Sequence, residues 1–528
     1  MQRHTLILFA IALGAHPVPA QPSRTVQVRT PNGVLEGIVS PDNGVRSFKG
    51  IPFAAPPVGP LRWKAPQPAP AWTGVRSAAE FGARCSQGRV FDDMIFRDNG
   101  PSEDCLYLNV WAPEAAFAGS SPDKVKLPVM FWIYGGGFMA GGSSEPRQDG
   151  GNLSTKGVVV VSCNYRLGMF GFFSHPEAAK ESPHNATGNY GLLDQLAALQ
   201  WVHDNIALFG GDPENVTIFG ESAGSLSVSG LVASPRASGL FQRAIGESGA
   251  FFRAGIGPRP RAEAEQADVK FAEAAFGTSS LEKLRALPAE QILEASRKPG
   301  VWFIPDVDGW FLPESVEAIY AAGKQNRVAL LAGWNTDEGN YRAFFGDLPP
   351  TAQNFITRAR ERYGDRADAF LTLFPAATDA EAKRSAADIA GDNFIAFGTW
   401  KWIEAHAQTP GVPVYRYHFE RNLPLPEPAA PHAGEIEYVF MALPSKNLPW
   451  QPEDRQVSEL MADYWTNFAK TGDPNGPGLP QWPVYRAQDG YQVMHLNVQS
   501  KAAPDDRRVR YLFLDTLPRS AVPAPGPK

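Results

Sequence analysis

Val216-Thr217-Ile218-Phe219-Gly220-Glu221-Ser222-Ala223-Gly224 decides the reading of this chain. A β-branched and aromatic run stops at a glycine, and a serine sits between two glycines, G-x-S-x-G. The next ten residues, Ala223 to Val232, have a helical composition. Strand, sharp turn and helix in that order form a nucleophile elbow, in which the turn lifts the serine oxygen clear of the sheet. The serine then stands at the positive end of the following helix, among backbone N–H groups that have no helical partner. A serine in an ordinary glycine-rich turn lacks the flanking strand and helix.

Outward from the elbow, apolar runs alternate with helical patterns, as in a largely parallel sheet covered on both faces. Val129 to Tyr134 reads as a strand ending in Gly135-Gly136-Gly137, and Val158 to Tyr165 as another. Leu192, Leu196, Leu199, Val202 and Ile206 recur at helical spacing. Arg243 to Glu247, Val328 to Gly333 and Val414 to Phe419 read as further strands, and Val457 to Lys470 as a helix. About 250–325 is helical and charged, which suggests an insertion over the sheet. The proline-rich end, 518–528, reads as a mobile tail. The organisation predicted is one catalytic domain over 21–528, of α/β class, with a largely parallel central sheet, flanking helices and helical insertions over the site.

Attack by a serine on a carbonyl creates an oxyanion that needs fixed N–H donors. Gly135-Gly136-Gly137-Phe138 follows a buried strand upstream of the elbow, where residues without side chains leave two N–H groups unobstructed; the Ala223 N–H supplies a third. No G-K-[ST] follows the glycines, so they are not a phosphate loop. The general base must be a histidine after Ser222. His406 falls in a helical pattern, His418 within a strand and His495 near the end of an apolar stretch, whereas His432 lies in the small-residue loop Ala430-Pro431-His432-Ala433-Gly434. The acid that orients the base falls at Asp337-Glu338, just past a strand end. Residue chemistry leaves both open, with Asp306 and Asp308 as rivals within the insertion.

The chain has 528 residues, 43% hydrophobic and 20% charged, with a net charge of -6. Lys and Arg are scattered, so no basic footprint for nucleic acid exists. Arg3-His4, the apolar run Leu6 to Ala15 and Val18-Pro19-Ala20 have the three-part pattern of an export signal cleaved near Ala20. That run is too short to span a bilayer, and no later segment is long and apolar enough. Export to the periplasm or medium permits disulfides. Of three cysteines, Cys85 and Cys105 flank a polar loop and suit a bridge, while Cys163 lies in a buried strand. No grouping suggests a metal, and no cofactor is called for.

Several longer stretches, in order along nearly the whole mature chain, resemble the type-B carboxylesterase/lipase family, which includes para-nitrobenzyl esterases and cholinesterases. They are Phe48-Lys49-Gly50-Ile51-Pro52-Phe53-Ala54, Glu103-Asp104-Cys105-Leu106-Tyr107-Leu108-Asn109-Val110, Phe219 to Gly224, and Tyr464-Trp465-Thr466-Asn467-Phe468-Ala469. The resemblance implies an α/β-hydrolase fold and a covalent acyl-enzyme mechanism. It implies Glu338 as the acid, His432 as the base, Gly136, Gly137 and Ala223 as oxyanion donors, Ser248 as a support for the acid, and a Cys85–Cys105 disulfide. Choline-selective members carry a tryptophan inside the first disulfide loop for cation stacking; residues 86–104 hold Phe91 and Phe96 but no Trp, which argues against choline selectivity. The partner implied is a small ester, with the chain a monomer or weak homodimer. Phe138, Phe251, Phe252, Trp302, Phe303 and the Phe91–Phe96 loop are candidates for pocket walls or core. A catalytically dead binding module is the reading from another class, but such members lack triad residues and this chain has all three positions. A lipase would differ by activation above the substrate's solubility limit.

Overall fold

In a computed structural model, residues 24–117, 126–252, 257–427 and 429–518 are described. The N-terminal stretch expected to be an export signal and nearly all of the proline-rich end lie outside them. A 13-stranded sheet runs through the molecule. Its strands in chain order are β1 (Arg24–Thr30), β2 (Gly33–Val39), β3 (Val45–Pro52), β4 (Val75–Ser77), β5 (Tyr107–Pro113), β6 (Leu127–Ile133), β7 (Val159–Cys163), β8 (Gly211–Glu221), β9 (Arg243–Glu247), β10 (Ala329–Asn335), β11 (Val414–Phe419), β12 (Gln492–Leu496) and β13 (Lys501–Pro504). Across the sheet the order is β1-β2-β3-β5-β7-β6-β8-β9-β10-β11-β12-β13, with β4 beside β2. The pairings from β7 through β12 are parallel, the others along this order are antiparallel, and β4 pairs with β2 in parallel.

The central strands are apolar along their length because helices cover both faces. Met130, Phe131, Trp132 and Ile133 of β6 are fully buried, and so are Ile218 and Phe219 of β8. Each such side chain contributes about 1.5–3 kcal/mol of burial. The helix Ala223–Ala233 is buried at every residue, which its small side chains allow. Pro452–Thr471 covers the sheet with Met461, Trp465 and Phe468 fully buried. Arg166 and Asp194, both almost wholly buried, pair at 2.7 Å and accept or donate further hydrogen bonds; losing one partner alone would strand a charge in the core.

Parallel strands all end on one side of the sheet, and ligand crevices form there. β6, β8 and β10 deliver Gly135–Gly137, Ser222 and Glu338 to that edge. Between β9 and β10 lie the helices Arg261–Phe276, Leu281–Arg285, Ala289–Ser296 and Val316–Ala321. Between β10 and β11 a second helical excursion, unanticipated except at His406, runs from Arg342 to His406 and includes a π-helical turn, Asp392–Ala396. Cys85 and Cys105 form a disulfide, and Cys163 is free and buried. Among the described residues no helix is long and apolar enough to cross a membrane.

Candidate active site

Ser222 caps the helix Ala223–Ala233 with φ 55° and ψ -120°, a conformation that costs an L-residue about 1–3 kcal/mol. Local contacts hold it there. The Ser222 N–H donates to the Glu247 carbonyl at 2.9 Å and its own carbonyl accepts from Leu226 N–H at 2.9 Å. The flanking glycines answer to crowding: a Cβ on Gly224 would stand 1.9 Å from the Ile133 carbonyl oxygen, and one on Gly220 would stand 2.6 Å from it. The end of β6 and the elbow are therefore in backbone contact, which brings Gly135-Gly136-Gly137 beside the serine.

Ser222 Oγ lies 2.8 Å from His432 Nε2, and His432 Nδ1 lies 2.6 Å from Glu338 Oε2. These three residues come from the ends of three separate segments. Glu338 Oε1 accepts from the Ser248 hydroxyl at 2.6 Å and from the Asn335 N–H at 2.8 Å. Ser248 and Ala433, beside the acid and the histidine, also have positive φ, 54° and 62°. Ser222 and Glu338 are buried and His432 is partly exposed on its side chain, so solvent reaches the cluster from the histidine's side.

The structure separates the alternatives that residue chemistry left open. Asp337 turns away from His432: its carboxylate accepts from the Ala430 N–H at 2.8 Å and pairs with Arg384, while its own N–H donates to the Ala430 carbonyl at 2.9 Å. It zips the acid-bearing loop to the histidine-bearing loop. Asp306 bonds to Ser174, and Asp308 accepts backbone N–H groups within the insertion. His406 bridges Tyr320 and the Val328 carbonyl, His418 contacts Thr336, and His495 pairs with Glu420. Phe138, Phe251, Phe252 and Phe303 are core residues, while Trp302 is 39% exposed.

Several neighbours were not assigned a part by the sequence. Glu221 Oε1 stands 3.1 Å from His432 Nε2 without accepting a hydrogen bond, an electrostatic contact with the nitrogen that faces Ser222. Burial pushes its carboxyl up to about 7, against the pull of His432. Glu247 is pushed up to about 8 by burial, and holds one hydrogen bond from Trp465 at 2.8 Å. Thus Trp465, in the Tyr464–Ala469 stretch, braces the residue whose carbonyl holds Ser222 N–H. Glu435, three residues after His432, is also raised by burial and accepts from Asn335 at 2.6 Å. Phe394, on the π-helical turn, meets the His432 ring edge-on at 5.1 Å. Met94, from the disulfide loop, reaches within 3.1 Å of where a Gly136 Cβ would be. The one available signal was the G-E-S and H-A-G-E spacing; nothing local marks Phe394 or Met94. Among the described residues no cluster could hold a metal ion.

The chain matches the family described as "Carboxylesterase family" over residues 24–512. It is 36% identical over 493 residues to "Fumonisin B1 esterase" of Sphingopyxis macrogoltabida, covering 90% of this chain and 88% of that protein. It is 36% identical over 480 residues to "Para-nitrobenzyl esterase" of Bacillus subtilis (strain 168), covering 87% and 93%. To "Cocaine esterase" of Homo sapiens it is 35% identical over 534 residues, covering 93% and 91%.

Proposed function

The chain belongs to the carboxylesterase family and hydrolyses carboxylic esters; from that premise we propose that Ser222, His432 and Glu338 are its catalytic triad. The observation that carries the assignment is the unbroken pair of contacts, 2.8 Å from Ser222 Oγ to His432 Nε2 and 2.6 Å from His432 Nδ1 to Glu338 Oε2. His432 takes the serine proton as Oγ bonds to the ester carbonyl carbon, whose π electrons move onto oxygen. The N–H groups of Gly136, Gly137 and Ala223 hold that oxyanion. On collapse the bond to the alcohol breaks and His432 protonates it, leaving an acyl-serine. Water then attacks the acyl carbon, gives its proton to His432, and the acid leaves as Ser222 regains a proton. Glu338 fixes the imidazole tautomer and stabilises its cation rather than taking its proton. Ser248, hydrogen-bonded to Glu338, is a positioning residue.

Ser222→Ala tests this. Hydrolysis of a short p-nitrophenyl ester should vanish while the circular dichroism spectrum is kept, and an organophosphate should label the Ser222 peptide in the unaltered protein. Retained turnover in the variant overturns the assignment.

We further propose export, with cleavage after Ala20. The Arg3-to-Ala20 pattern and the Cys85–Cys105 disulfide support it. N-terminal sequencing of protein recovered from periplasm or medium should begin at Gln21.

A further inference from the structure

Beside the glycine loop lies a cleft of about 240 Å³ whose wall differs in charge from the rest of the molecule. Its floor is apolar (Met139, Leu167, Phe170), and Arg89, Arg297 and Lys298 line it with no Asp or Glu among its lining residues. The whole chain has 55 acidic against 49 basic residues, so three cations without an anion run against the overall balance. Arg89 pairs with Asp92 at 3.0 Å in a highly exposed contact. The Lys298 carbonyl accepts from the Val301 N–H at 3.1 Å, but the side chains of Arg297 and Lys298 make no hydrogen bond or ion pair among the described residues. Room for Arg297 is built in: a Cβ on Gly88 would fall 2.2 Å from its Nε and 2.5 Å from its Cζ. Trp302 joins this cleft to the reacting centre, lining its wall while its ring approaches to 3.9 Å from where a Gly137 Cβ would stand.

We propose that this cleft receives a carboxylate on the acyl part of the substrate, so that half-esters of dicarboxylic acids are preferred over neutral esters of equal length. With the acyl oxygen at the Gly137 N–H, Trp302 stands beside the reacting carbon, and the acyl arm of the substrate is assigned to its side. An apolar floor suits the methylenes, and guanidinium and ammonium groups at the rim suit the terminal carboxylate. The reaction remains a hydrolysis: half-ester and water give dicarboxylate and alcohol, with no other reagent. The inference rests on the reading of Ser222 and Gly137 given above.

Monoethyl succinate, glutarate and adipate, set against ethyl butanoate, pentanoate and hexanoate, test it in the full protein. At least one half-ester should exceed its neutral counterpart in kcat/KM. Arg297→Ala and Lys298→Ala should each reduce that ratio about fivefold, the upper range for an exposed ion pair, mainly through KM, and Arg297→Lys should retain most of it. Raising ionic strength to about 0.15 M, where screening acts beyond about 8 Å, should narrow the preference. Absence of any half-ester preference, or a preference that survives in the double alanine variant, overturns the proposal. Hydrolysis persisting in Ser222→Ala would instead overturn the assignment of the reacting centre.

Discussion

Ser248→Ala probes how far the proposed triad depends on a residue that never meets the ester. Glu338 is buried and its carboxylate has three contacts: His432 on Oε2, and Ser248 and Asn335 on Oε1, at 2.6, 2.6 and 2.8 Å. Removing the hydroxyl deletes one hydrogen bond to a charged group, a loss of about 1.5–3 kcal/mol. The Ser248 N–H to Gly333 carbonyl bond, 2.9 Å, and the positive φ of the residue are untouched by the change. Because Glu338 holds this bond before and during reaction, most of the loss falls on stability. Only the share that lets the carboxylate swing away from His432 reaches the rate. Urea unfolding should show about 2 kcal/mol of destabilisation, and kcat/KM on a p-nitrophenyl ester should fall about tenfold, equivalent to about 1.4 kcal/mol, with KM nearly constant. A variant with full stability and full kcat/KM would show that the Ser248 bond neither holds nor orients the acid.

Gly136→Ala places a Cβ 2.1 Å from the Ala140 carbonyl oxygen at a residue with φ 108°, so the loop must shift and its N–H leaves the oxyanion; kcat should drop about 100-fold in pre-steady-state acylation assays. Glu247, raised from 4.5 to about 8 by burial, keeps in the fold a proton that the unfolded chain releases. Its contribution is therefore full below pH 4.5 and is lost as pH rises through about 8. Glu247→Gln should flatten the decline of thermal midpoint between pH 5 and pH 8, and an unchanged slope counts against the assignment. Replacing Cys85 and Cys105 together with serine opens a loop with a sequence separation of 20. That should cost about 3 kcal/mol in urea unfolding, and it should also lower activity by freeing Met94 from above the glycine loop.

The features legible along the chain are local ones. The elbow was legible because strand propensity, two glycines at the right offsets and small helical residues all act within about ten positions of Ser222. The apolar runs at β6, β7 and β10 were legible because strands buried on both faces have no polar alternation to keep. Among four histidines the small-residue loop favoured His432, but between Asp337 and Glu338 nothing local decided, and only the resemblance to a family pointed to Glu338. Ser222 and His432 are separated by 210 residues and His432 and Glu338 by 94, so no periodicity carries their approach. Tertiary structure alone turned Asp337 toward Ala430 and Arg384 and Glu338 toward the imidazole, set Glu221 against the same ring, and brought Phe394 and Met94 over the site. Those placements follow from how the parallel strands end along one edge and how their loops bond to one another across it, and neighbours along the chain do not encode distances across the sheet.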